Sequence, residues 1–109
     1  MAFDEGLAQR VREQLDGVAP AREMQMFGGL AFLVAGNMCV GVIGEELIAR
    51  VGPAAADGAL ARPGARPFDF TGRPMKGWVV VGTDGTDDDG SLAGWVADAL
   101  AFVGTLPPK

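Results

Sequence analysis

Arg62, Arg66, Arg73 and Lys76 lie in one stretch of a 109-residue chain. Guanidinium forks match carboxylates and phosphates, so two adjacent loops converging these bases would hold an anion or an acidic partner segment. The competing reading is surface pairing with Asp57, Asp69 or the aspartates that follow residue 83. Those aspartates, Asp84, Asp87, Asp88 and Asp89, invite a calcium reading. An EF-hand loop needs acids at its first, third and fifth places, Gly at the sixth and Glu at the twelfth. Setting Gly90 sixth puts Gly85 first and Val96 twelfth, so the pattern fails. Aspartates before a helix are explained by capping and by the helix dipole. Cys39, between Met38 and Val40, reads as a small buried hydrophobe rather than a nucleophile. Gly28-Gly29 would let a backbone approach a ligand, but such a pair more often marks a bulge or bend. No dinucleotide fingerprint follows it. Gly72 to Gly77 has the outer glycine spacing of a P-loop, yet Trp78 stands where the lysine must be.

The remaining inventory is sparse. There is no His and no Tyr, with one Cys, and Ser91 and Asn37 are alone of their kinds. General acid–base and nucleophilic catalysis at neutral pH draw mostly on these groups. No catalytic residue, metal cluster or cofactor is therefore assigned. The expectation is a non-enzymatic interaction or regulatory module. The alternative is a small-molecule or anion binder, or a minor enzyme, using the Arg62, Arg66, Arg73 and Lys76 loops with Asp69.

The net charge is −5. The acids gather late, at Asp84, Asp87, Asp88, Asp89 and Asp98, against Lys109 alone. An acidic chain repels a phosphate backbone, which disfavours direct nucleic-acid binding. The longest clean apolar run, Leu30 to Ala35, is far short of the roughly 20 residues that cross a bilayer. Asp4 and Glu5 stand where a secretory leader would be basic. With one cysteine no intramolecular disulfide forms, which fits a reducing, cytoplasmic setting. One domain over residues 1–109 is expected.

Several elements must position these groups. Asp4 caps a helix whose apolar positions are Leu7, Val11, Leu15 and Val18, ended by Gly17 and Pro20. Strands follow at 22–27, 30–34, 38–43 and 47–51, joined at Gly28-Gly29, Ala35-Gly36-Asn37 and Gly44-Glu45-Glu46. Gly36 and Asn37 are the residues that accept a positive φ. Connections this short force antiparallel hairpins. Leu30–Val34 and Met38–Ile43 are apolar at nearly every position, so both sheet faces need cover, from helices on each side or from a second copy in a homodimer. A helix follows at 53–60, then a loop at 61–67, a short strand at 68–70, and a strand at Trp78–Val81. The last helix is capped by Asp88 or Asp89 and puts Leu92, Trp95, Val96, Ala99, Leu100, Val103 and Leu106 on one stripe. The class is α+β: an antiparallel sheet of about five to six strands with N-terminal, middle and C-terminal helices, order α-ββββ-α-ββ-α.

Met26-Phe27-Gly28-Gly29, the hairpin through Gly36-Asn37-Met38, Arg50-Val51-Gly52-Pro53 and Gly72-Arg73-Pro74-Met75-Lys76-Gly77 together resemble the N-terminal domain of the TfoX/Sxy competence regulators. The resemblance spans almost the whole chain. It implies an α+β domain with an antiparallel sheet, and for the full-length regulators a role in inducing DNA-uptake genes. Those regulators carry a second domain resembling helix-hairpin-helix modules, which these residues do not include. The resemblance brings no catalytic residues with it.

Overall fold

The computed structural model describes residues 3–26, 28–69 and 75–108, with the side chain of Met26 set aside. Helix α1 spans Glu5–Leu15. Strands β1 (Ala21–Met26), β2 (Gly29–Val34), β3 (Asn37–Ile43) and β4 (Glu46–Arg50) then run as a meander. Helix α2 (Ala56–Leu60), strands β5 (Ala65–Pro67) and β6 (Trp78–Val81), and helices α3 (Thr83–Thr86) and α4 (Asp89–Val103) complete the order. The six strands form one sheet, β1-β2-β3-β4-β6-β5, antiparallel at each pairing. The chain is an α+β fold in the expected order, with α3 a single added turn inside the acidic segment. No helix among the described residues is long and apolar enough to cross a membrane.

Asp4 caps α1, its carboxylate accepting from the N–H groups of Gly6 at 2.8 Å and Leu7 at 3.4 Å. Leu7, Ala8, Val11 and Leu15 form the buried stripe. Helix α1 stops at Leu15, so Val18 falls outside it and is 67% exposed, against the sequence expectation. Asp88 caps α4, accepting from Ser91 N–H at 2.9 Å. Leu92, Trp95, Val96, Ala99 and Val103 of α4 are buried. Helix α2 starts at Ala56, later than the expected Pro53, because residues 53–55 are taken up in a turn.

Side chains alternate across a strand, and here the alternation separates two surfaces. Leu30, Phe32, Val40, Val42, Leu47, Ala49, Val79 and Val81 meet α1, α2 and α4 in the main core. Ile48, Val80 and Phe68 form a second, smaller cluster, with Met38, Ile43 and Trp78 packed against it. Among the described residues, helices therefore cover one face of the sheet only. At the centre of the other face, the Phe68 segment and the Met38 side chain supply cover that was expected from helices or from a second copy. Met38 reaches across Gly41, whose missing Cβ leaves room for its Cε.

Two local details depart from the sequence reading. The β2–β3 turn carries its positive φ at Ala35 (53°) and Gly36 (81°), not at Asn37. Asn37 opens β3, is 2% exposed, and donates from Nδ2 to the Pro107 carbonyl at 2.9 Å. Strand β5 lies at Ala65–Pro67, within the segment read as loop, whereas Phe68 is core and Phe70 lies outside the described residues.

Candidate functional site

The four cations singled out by sequence are not drawn to one point. The Arg62 guanidinium lies 3.6 Å from the Trp95 ring centroid and donates to Asp98 at 2.5 Å, so it is held on α4. Arg66 makes a bidentate pair with Glu46 across the sheet, one arm at 2.7 Å. That hydrogen bond is the main cause holding the Glu46 carboxyl below, and the Arg66 guanidinium above, their ordinary ranges. Lys76 is exposed beside the start of β6, and Arg73 lies outside the described residues. The hydrogen-bonded partners of Arg62 and Arg66 are thus Asp98 and Glu46 rather than the aspartates that the sequence suggested, although the charge of Asp69 does act on Arg66. Those partners come from secondary-structure elements distant in sequence, which no local spacing reveals.

The concavity beside Arg66, about 530 Å³, is lined by Glu45, Glu46, Asp84, Gly64, Gly82 and Thr83. Its carboxylates outnumber its one arginine, and that arginine is already paired. A second open cleft, about 500 Å³, lies between the end of α1 and β1, where Arg12 grips Glu23 through both carboxylate oxygens at 2.7 and 2.9 Å. The acidic segment is engaged within the fold. Besides the Asp88 cap, Asp89 accepts from Arg10 at 3.0 Å, and Arg10 also donates to the Thr86 carbonyl at 2.6 Å.

Cys39 is fully buried in the main core. Burial pushes its thiol up to about 12, and the nearby charge of Arg50 only partly opposes this. Thiolate is the reactive form, so the sulfur is inert at neutral pH.

What remains is the sheet face without helices. Register places Met24, Ala31, Gly41, Ile48, Val80 and Arg66 in one row across all six strands. The middle of the row is buried, with Ala31, Ile48 and Val80 no more than 5% exposed. Its margin is apolar and wet: Met24 is 42% exposed, with Leu33, Met38, Ile43 and Trp78 half-buried, and Met75, 37% exposed, follows the Phe68 segment, its N–H donating to the Phe68 carbonyl at 2.8 Å. Arg50 sits opposite Trp78 in the register, its guanidinium 5.1 Å from that ring and 5.6 Å from Phe102. Methionine is adaptable and polarisable, suited to a surface that must accept a partner's side chains. The lack of polar alternation in the sequence marked both faces as apolar, and only the topology shows which one the helices leave.

Of the Met26-Phe27-Gly28-Gly29 motif, Phe27 lies outside the described residues. Gly28 has φ 74°, a conformation glycine adopts without strain. Gly29 opens β2 against β3, where a Cβ would strike the Val42 carbonyl and Ile43. The pair makes a tight turn and a close strand approach.

A family model described as TfoX N-terminal domain matches residues 13–103. No curated protein and no solved structure matches the chain.

Proposed function

The chain belongs to the TfoX N-terminal domain family, and on that premise we propose that it acts as a non-enzymatic, cytoplasmic regulatory module working through protein contact. One observation carries this reading: the sheet face that no helix covers among the described residues has a buried centre and a wet apolar margin of Met24, Leu33 and Ile43, with exposed Met75 beside it, hydrogen-bonded through its N–H to Phe68. A rimmed apolar patch on a small protein is characteristic of an interaction surface. The scarcity of catalytic side chains supports it. The anion-binding alternative draws less support, because Arg62 and Arg66 already hold carboxylates and the concavity beside Arg66 is acid-rich.

The test is a photo-cross-linking residue placed at Met75, with a control at Ala101, which is exposed on α4. In the native host, position 75 should give a discrete protein adduct that position 101 lacks. Identical adduct patterns from both positions would remove the support for the open face as a contact surface.

A further inference from the structure

The two edges of the sheet are built differently. Strand β5 has three residues and ends in Pro67, which has no N–H to offer, so this edge is blunted. Strand β1 has six residues, Ala-Arg-Glu-Met-Gln-Met, with no proline or bulge. Its first five residues are exposed. Among the described residues, no backbone hydrogen bond outside the sheet engages it.

The phase of its free hydrogen-bonding groups follows from the hairpins. Two residues separate Met26 from Gly29 and two separate Val34 from Asn37, so each of these closing pairs exchanges both backbone hydrogen bonds. Arg22, Met24 and Met26 therefore point their N–H and C=O groups at β2. Ala21, Glu23 and Gln25 point theirs away from the sheet.

We propose that β1 pairs with β1 of a second copy of this chain, antiparallel about a two-fold axis through Met24, to make one continuous sheet across a homodimer. This rests on the interaction-module reading and names its partner. A two-fold axis normal to the sheet keeps each face on its own side, so the axis must pass through a residue rather than between two. Centring on Arg22 opposes two arginines, and centring on Glu23 opposes two glutamates. Centring on Gln25 leaves only three strand residues paired. Centring on Met24 pairs Glu23 with the partner's Gln25, Arg22 with the partner's Met26, and Met24 with itself. It is the longest register without opposed like charges. It also uses the outward groups of Glu23 and Gln25 as the hydrogen-bonded pairs. The two Met24 side chains meet on the open face and join the two apolar margins into one surface.

Light scattering should return twice the mass of one chain for the wild type. Gln25→Pro removes an outward donor at a position where an edge strand tolerates proline. It should return the mass of one chain with an unchanged far-ultraviolet circular dichroism spectrum. A second pair of variants is independent of that proline. Met24→Cys should form an intermolecular disulfide on mild oxidation, because a central non-hydrogen-bonded pair has Cα atoms about 4.5 Å apart. Arg22→Cys should not, since its copy lies about 14 Å away along the strands. Cys39, buried, does not compete. A wild type that stays a single chain across the concentration range would overturn the proposal. So would equal cross-linking of Met24→Cys and Arg22→Cys. Either failure leaves the cross-linking at Met75 to decide the wider reading, since that residue lies off β1.

Discussion

Two tryptophans compare the faces of the sheet. Trp95, on α4, is 1% exposed, packed in the main core beneath the Arg62 guanidinium. Trp78, on β6, is half-buried on the open face, with Phe68 6.1 Å away in a tilted ring contact and Arg50 against it. The same strands serve both surfaces through alternate residues. Coverage by two long helices makes one a sealed core. Among the described residues, Phe68 and Met38 cover the other, which is a small cluster with a wet rim. Apolar composition alone therefore does not say which residues carry stability; the element lying over them does.

The comparison breaks most sharply at the tryptophans. Trp95→Ala should cost about 3–5 kcal/mol, the range for a large aromatic removed from a packed interior. Trp78→Ala should cost less, about 1–3 kcal/mol. Both are read from urea melts, and equal losses would mean the faces do not differ in packing. On the open face, Gly29→Ala should cost about 1–3 kcal/mol by overpacking, because the new Cβ meets a strand carbonyl that has little room to retreat. A neutral result would show that the β2–β3 approach is slack.

A smaller change sharpens the measurement without touching either face. Ala35 holds φ 53°, and a left-handed conformation costs an ordinary residue about 1–2 kcal/mol. Ala35→Asn creates the Asn-Gly pair favoured in this turn and should raise stability by about 1 kcal/mol. A lower melting temperature would contradict the turn geometry.

The smallest effect is expected at the rim, where Arg66 and Glu46 are both well exposed. Glu46→Gln should cost less than about 1 kcal/mol at neutral pH, as exposed pairs do. The Glu46 carboxyl is held below its ordinary range in the folded protein by its hydrogen bond to Arg66. Its contribution is complete above that ordinary range and is lost as pH falls through the lowered value. The gap in melting temperature between wild type and variant should therefore close on acidification; a gap that widens would refute the pairing.

Much of the fold was legible in the sequence. The stripe from Leu7 to Leu15, the glycine-punctuated hairpins and the stripe from Leu92 to Val103 are local periodicities, and local periodicity is written in the chain. The departures have a common physical origin in contacts between distant segments. Val18 fits the spacing of α1, but the helix ends at Leu15. Asn37 looked like a turn residue because Asn tolerates positive φ, yet a carbonyl seventy positions away claims its side chain. Arg62 and Arg66 looked like loop cations free to converge, and each is held by a carboxylate from another element. The open face could not be read at all, because a strand's sequence shows that both sides are apolar without showing where the helices will lie.

The clasp between Asn37 and Pro107, with that between Arg10 and Thr86, bears on the order in which the chain folds. Strands β1 to β4 are joined by short turns and are complete by Arg50, so their pairing closes only small loops. The helical face cannot close until α4 exists, and the two ties span 70 and 76 residues. During synthesis the meander would leave the ribosome with Leu30, Phe32, Val40, Val42 and Leu47 still uncovered. That interval, before α4 docks, is when this small protein is most open to aggregation.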